Sequence, residues 1–355
     1  MFGSLLVHRA ERYERFLDWD WILATLAALT AYALTARRAR ALAAGLGLGR
    51  INAGIVLGVV TFTIVWAATL PFGLAAVWWE RRHGISRESY GAALAGAWGN
   101  LLAATVVAVV ALAIVLALAR RLGRRWWIAA APALAALFLL LQLVDPFLAT
   151  IGTHPVRSAA LRRDIRTLER REHAGNPSVR VDDVSGRTRE ANAFSIGIGP
   201  TERVVLWNTL LDGRFSPGEI RFVVGHELGH LVRNHILRAV AWFALLLMPV
   251  LVVTAYTADV RRPAAVPLAL LVIAVAQLAL LPLRNAISRR YEAEADWIGL
   301  TGSRHPAAAR GLFKRFVATS LQDPSPPGWV DVLLDDHPTP LRRVEMAEIW
   351  RARNP

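Results

Sequence analysis

The sequence predicts a mostly α, polytopic membrane protein that carries one small α+β domain, and three observations predict it. Hydrophobic residues make up 55% of the 355-residue chain, above the roughly 45–50% of a soluble domain, and the mean hydropathy is +0.38. Six apolar runs come near the ~20 residues that a helix needs to cross a hydrocarbon core of roughly 30 Å. Between the fourth and fifth runs lies a long polar insertion, Gly152 to Asn234, with strand-like segments.

The six runs are Trp19 to Ala36, Ile51 to Trp79, Ala92 to Ala119, Trp126 to Leu148, Ile236 to Ala258 and Ala264 to Leu283. Arginines punctuate them: Arg37, Arg38 and Arg40; Arg81 and Arg82; Arg120, Arg121, Arg124 and Arg125; Arg261 and Arg262. Pro71 is expected to kink the second run or to end its membrane part. Before Trp19, Arg9, Arg12 and Arg15 alternate with Glu11, Glu14, Asp18 and Asp20, a poor n-region for a cleaved leader. The first run is therefore read as a retained anchor. With six spans, both termini and the polar insertion share one side of the membrane. Loops on both faces are basic, and the positive-inside rule leans toward a cytoplasmic catalytic face in a bacterial-type cell membrane.

The insertion opens with a charged amphipathic helix, Ala159 to Glu172. Strands are expected at Val179 to Val184, Ala191 to Ile198 and Arg203 to Leu206, separated by turn signals at Ser185-Gly186 and Gly199-Pro200. Ser216-Pro217-Gly218-Glu219 then starts a helix, with Ser216 as N-cap, Pro217 at the first helical position and Glu219 completing a capping box. That helix is expected to run on, with or without a break, into the fifth span. After the sixth span, helices are expected over Ser288 to Thr301 and Pro306 to Leu321, and a last one from near Pro338. The division is four spans over 1–150, the polar part over 151–235, two more spans over 236–283, and a C-terminal part over 284–355.

The net charge of +14 suits anionic lipid headgroups better than nucleic acid, because the arginines flank apolar runs instead of lining one face. The absence of cysteine excludes disulfides, thiolate metal sites and cysteine nucleophiles. Any metal must be held by His, Asp or Glu. Gly45, Gly47 and Gly49 form a glycine-rich loop, but no strand precedes it, so phosphate binding there is not expected.

Gly225 to His230 reads Gly-His-Glu-Leu-Gly-His. On a helix, positions i and i+4 lie about 40° apart, so His226 and His230 can grip one tetrahedral zinc ion while Glu227 reaches its water. A catalytic zinc takes a third protein ligand and keeps one position open. In the helix Ser288 to Asp296, Glu292 and Asp296 share a face, and Glu294 points about 200° away. Glu292 is the choice for the third ligand, with Glu294 as its rival, and Asp296 is placed to orient a zinc histidine through its other nitrogen. His235, nine residues after His226, falls on the opposite face of a continuous helix and reads as a surface residue.

His226-Glu227-x-x-His230, the Ser-Arg-Arg-x-Glu292-x-x-x-Asp296 segment, Asn192-Ala193-Phe194, and His337-Pro338 followed by Arg343 together resemble the integral-membrane zinc endopeptidases called type I CAAX prenyl proteases. The likeness extends over roughly residues 150 to 350 and includes Val204 to Leu211 and, more loosely, Gly84 to Arg87. It implies a zinc-metallopeptidase domain in which His226, His230 and Glu292 hold one Zn²⁺ ion and Glu227 is the general base. It further implies that Asn192 and Ala193 lie on an edge strand receiving substrate backbone, and that His337 and Arg343 assist the tetrahedral intermediate. Farnesylated peptide or protein tails are the substrates it implies. The family has seven spans and this chain six runs. Two other readings carry the same motif: a quality-control protease resembling the heat-shock membrane proteases, which have four spans, and a zinc-stabilised scaffold without catalysis, against which the intact Glu227 argues.

Overall fold

The computed structural model describes residues 2–354. Helix α1 (Ser4–Ala44) starts well ahead of Trp19. Its 41 residues reach ~60 Å, about twice the thickness of a hydrocarbon core, and its acidic residues all lie in its first half. There Tyr13 packs with Ile85 and Leu321, and Trp79 Nε1 donates to the Tyr13 carbonyl at 3.0 Å. Helix α2 (Arg50–Arg82) runs through Pro71 without ending. Helices α3 (Tyr90–Leu122) and α4 (Trp126–Ala149) are joined by a short 3-10 turn at Gly123, whose φ of +60° a residue with a Cβ rarely adopts. Ala108 of α3 and Leu134 of α4 line one apolar cavity, so the two helices form a hairpin.

Further along the chain, α7 (His235–Thr257) packs on α4, and α8 (Val266–Ala279) packs on α1, α2 and α7. The expected sixth run is not one straight helix. It breaks at Leu280 with a 48° bend, and α9 (Leu281–Ser303) begins there. Pro282 follows immediately and has no N–H to donate to the preceding turn. Judged by length and apolarity, four helical runs are fit to cross a membrane, or five with the bent pair. One of the four is the 60-residue α3–α4 stretch, which the hairpin divides in two.

The polar domain is built on a four-stranded sheet in the order β1-β2-β4-β3, where β1 is His154–Pro155, β2 Ser178–Asp182, β3 Ala193–Ile196 and β4 Arg203–Trp207. The β2–β4 pair is parallel, and β1 and β3 run antiparallel to their neighbours. Helix α5 (Ala159–Glu172) has the expected limits and packs on α6 (Pro217–Val232). Both halves of the capping box form at α6: Glu219 N–H donates to Ser216 Oγ at 3.3 Å, and Ser216 N–H to Glu219 Oε2 at 2.7 Å. Helices α10 (Pro306–Ser320) and α12 (Pro340–Arg353) close the domain, with the short α11 (Gly328–Leu333) between them. One core of Leu206, Phe222, Val224, Leu228, Leu300, Leu312 and Val344 joins the sheet to α6, α9, α10 and α12.

Candidate functional site

Helices α6 and α9 cross at unusually close range because small residues face each other. A Cβ built on Gly225 would lie 3.1 Å from Gly299 Cα, one on Gly229 would lie 3.2 Å from Ala295 Cα, and one on Gly299 would lie 2.8 Å from the His226 backbone nitrogen. The glycines that frame the His-Glu-x-x-His signature therefore let α9 bring its carboxylates to the histidines.

His226, His230 and Glu292 converge at that crossing as a group able to hold a metal ion. The two histidine Nε2 atoms are 3.1 Å apart. Glu292 Oε2 lies 3.3 Å from His226 Nε2, and Glu292 Oε1 3.3 Å from His230 Nε2. A tetrahedral ion with metal–ligand bonds of ~2.0–2.1 Å needs its ligand atoms about 3.3 Å apart, and these separations are on that scale, with Glu292 turning one oxygen toward each histidine. Glu292 Oε2 is buried, and His226 Nε2 and His337 Nε2, each 3.3 Å away, do not complete a well-formed hydrogen bond to it. A buried carboxylate oxygen left in that state is costly unless a cation completes it, so the donor set fits a divalent ion. Glu294, the rival for third ligand, points elsewhere and accepts from Arg238 Nη1 at 3.0 Å and Arg233 Nε at 3.3 Å.

Asp296 is only 1% exposed and lies 2.9 Å from His226 Nδ1, which turns the imidazole so that Nε2 faces Glu292. Two further bonds hold this carboxylate, from Arg343 Nε at 2.8 Å and Arg343 Nη2 at 2.6 Å. Burial opposes charge on His226, but the Asp296 and Glu292 carboxylates beside it outweigh that and push its pKa up to about 10. A cation among these carboxylates takes over the role of that proton, which must leave first.

A cavity of about 340 Å³ opens over His226, His230 and Glu292. Glu227 lines it, together with Asn192 to Ser195, His337 and Arg343, and its apolar wall includes Phe222 and Phe316. His337 Nε2 comes within 3.3 Å of Glu292 Oε2, and its Nδ1 lies 2.6 Å from Asp336 Oδ1. Desolvation works against charge on His337, yet Asp336 and Glu292 hold its pKa above the ordinary imidazole value. Strand β3 is the terminal strand of the sheet. The Asn192 carbonyl accepts from Trp207 N–H at 3.0 Å, so by strand alternation Ala193 and Ser195 turn their backbone groups to the outer edge. Asn192 Oδ1 accepts the Ala193 N–H at 2.9 Å.

His235 is not the surface residue that a continuous helix predicts. Asn234 takes a left-handed conformation, with φ +53° and ψ +39°, which ends α6 and starts α7 in a new direction. The turn swings His235 back to 4% exposure, with its Nδ1 3.0 Å from His230 Nδ1. The sequence signal for this was Asn, a residue that tolerates the left-handed region, standing directly before the histidine.

The sequence profile of peptidase family M48 matches residues 155–351. The metalloprotease YhfN of Bacillus subtilis is 31% identical over 252 residues, covering 65% of this chain and 58% of that protein. The CAAX prenyl protease 1 homolog of Oryza sativa is 24% identical over 239 residues, covering 65% of this chain and 53% of that protein. The chain thus spans little more than half the length of these relatives. The crystal structure of S. mikatae Ste24p superposes with a TM-score of 0.80 over 98% of this chain and 89% of that one, at 17% identity. That likeness is one of fold.

Proposed function

Because the chain belongs to peptidase family M48, whose profile spans more than half of its residues, we propose that it is a zinc-dependent endopeptidase acting at the membrane on extended, apolar peptide segments. The observation that carries this reading is the convergence of His226, His230 and Glu292 as a group able to hold a metal ion, with neighbouring ligand atoms 3.1 to 3.3 Å apart, beneath a terminal strand. Zinc, when bound, supplies a Lewis acid that polarises the peptide carbonyl and lowers the pKa of water.

The remaining work falls to the chain's own side chains. Glu227 takes the proton of the attacking water on its carboxylate and returns it to the leaving amine. The outer edge of β3 receives the substrate as an added strand: the Ser195 N–H and Ala193 carbonyl pair with its backbone, and Asn192 releases or shares the Ala193 N–H that it holds. His337, whose pKa Asp336 and Glu292 hold above the ordinary imidazole value, donates toward the oxyanion, a contribution of roughly 2.7–4 kcal/mol for one such donor. Arg343 acts through Asp296, which it grips with two nitrogens. Phe222, Val223, Leu312 and Phe316 line the same cavity and favour an apolar side chain next to the scissile bond. Lipidated tails, prenylated ones among them, fit this reading because α7, an apolar helix fit to cross the membrane, begins beside the metal ligands.

The test uses the full chain in detergent, with a fluorogenic apolar peptide and its prenylated counterpart. Chelation should abolish cleavage and zinc should restore it. Glu227→Gln should keep the metal and lose turnover, and a fully active Glu227→Gln variant would rule out the scheme.

A further inference from the structure

Asp296 gives His226 a partner on its second ring nitrogen, and His230 has one of a different kind. We propose that His235 and Glu294 form a positioning relay that fixes the tautomer and ring plane of His230, so that its Nε2 presents a lone pair to the metal. The inference rests on reading His226, His230 and Glu292 as a metal site.

The geometry carries it. His235 Nδ1 lies 3.0 Å from His230 Nδ1, and His235 Nε2 lies 3.3 Å from Glu294 Oε2. The ring is held in place by stacking on Tyr291, with centroids 4.4 Å apart and planes 7° from parallel. Arg238 and Arg233 also donate to Glu294 Oε2, which keeps that group a carboxylate and hence only an acceptor. His235 must then carry its proton on Nε2, leaving a lone pair on Nδ1. Two ring nitrogens at 3.0 Å need one proton between them, so His230 supplies it from Nδ1. Its Nε2 is left unprotonated, and that is the atom facing Glu292 Oε1 at 3.3 Å. Without the relay a neutral His230 is free to place its proton on Nε2, where it blocks coordination.

Asp296 and Glu294 thus do parallel jobs from opposite faces of α9, one directly and one through an imidazole. This accounts for the left-handed Asn234, because only a break there returns His235 to the ligand it serves. Partners of this kind typically control metal affinity 10–100-fold.

Zinc affinity of the purified full-length protein, measured by competition with a chromophoric chelator, tests the relay without reference to activity. The wild type should bind one zinc ion; if it binds none, the metal-site reading itself fails. His235→Phe keeps the aromatic stack on Tyr291 but has no ring nitrogen, and should weaken zinc binding about 10–100-fold. His235→Asn, whose Oδ1 takes the place of Nδ1, should recover most of that loss. Glu294→Leu should weaken binding in the same direction. Wild-type affinity in His235→Phe overturns the relay, and so does a loss in His235→Phe that His235→Asn fails to recover, since the histidine would then act only by filling space.

Discussion

Replacing Arg343 with Met separates two roles for this arginine, support of the metal site through Asp296 and direct contact with substrate. Asp296 is 1% exposed and is held by two Arg343 nitrogens at 2.6 and 2.8 Å. Met fills a similar length and removes the charge, leaving a carboxylate in the interior with His226 as its remaining partner. Breaking a buried pair from one side costs about 3–5 kcal/mol, a large part of the 5–15 kcal/mol that holds an ordinary domain. At roughly 2–4 °C per kcal/mol for a domain of this size, the melting temperature should fall by on the order of 10 °C. Zinc should also bind more weakly, because Asp296 no longer fixes the His226 ring. The double variant Arg343→Met with Asp296→Asn removes the stranded charge and should regain part of the lost stability, a coupling that a thermodynamic cycle measures. The assay is thermal unfolding in detergent beside zinc competition. If Arg343→Met unfolds and binds zinc as the wild type does while kcat alone drops, Arg343 works on the substrate and the argument through Asp296 is wrong.

Two further outcomes follow from the α5–α6–α9 packing. Both oxygens of Glu172 are buried without a hydrogen-bond partner among the described residues, and burial pushes its pKa from 4.5 up to about 9. The folded state therefore holds a proton that the unfolded chain has lost, and this group lowers stability by about 1.4 kcal/mol per pH unit between those two values. Glu172→Gln should flatten the fall of melting temperature between pH 6 and 9, and an unchanged profile would show that the carboxyl titrates normally. Gly299→Ala places a Cβ 2.8 Å from the His226 backbone nitrogen. It should force α6 and α9 apart and reduce zinc affinity at least tenfold, the scale of a lost supporting contact; unaltered affinity would mean that the helix spacing does not set the ligand geometry.

Much of the site was legible because its parts are local. The Ser216–Glu219 capping box starts the helix where it is expected, and spacing alone put His226 and His230 on one face. What was not legible depends on single backbone conformations or on distant partners. Asn234 permits left-handed angles but does not require them, so a continuous helix pointed His235 at solvent. Pro282 lies just past the break in the sixth run, but the apolar stretch before it and Leu283 after it concealed the bend. Glu172 closes an amphipathic helix whose charges suggest solvent, and only Gly225 and Gly302, far along the chain, make the space that buries it. Arg343 finds Asp296 from 47 residues away, a pairing that spacing cannot supply.

The choice between Glu292 and Glu294 shows how a local pattern and a long-range contact settle the same question. Residues 292, 295, 296 and 299 stand at i, i+3, i+4 and i+7, one stripe of a helix. Ala295 and Gly299 are its small members, and they meet Gly229 and Gly225 across the helix crossing. A helix can approach another this closely only on a face without bulk, so the two small residues fix the rotation of α9. Once that rotation is fixed, Glu292 and Asp296 flank the contact and must reach α6 on either side of it, Glu292 to the Nε2 atoms and Asp296 to His226 Nδ1. Glu294 is carried round to the start of α7, where His235, Arg233 and Arg238 receive it. The same small-residue stripe that positions the third ligand thereby delivers the acid at the end of the relay, so the two carboxylates that competed for one role in the sequence serve the same metal site from two faces of one helix.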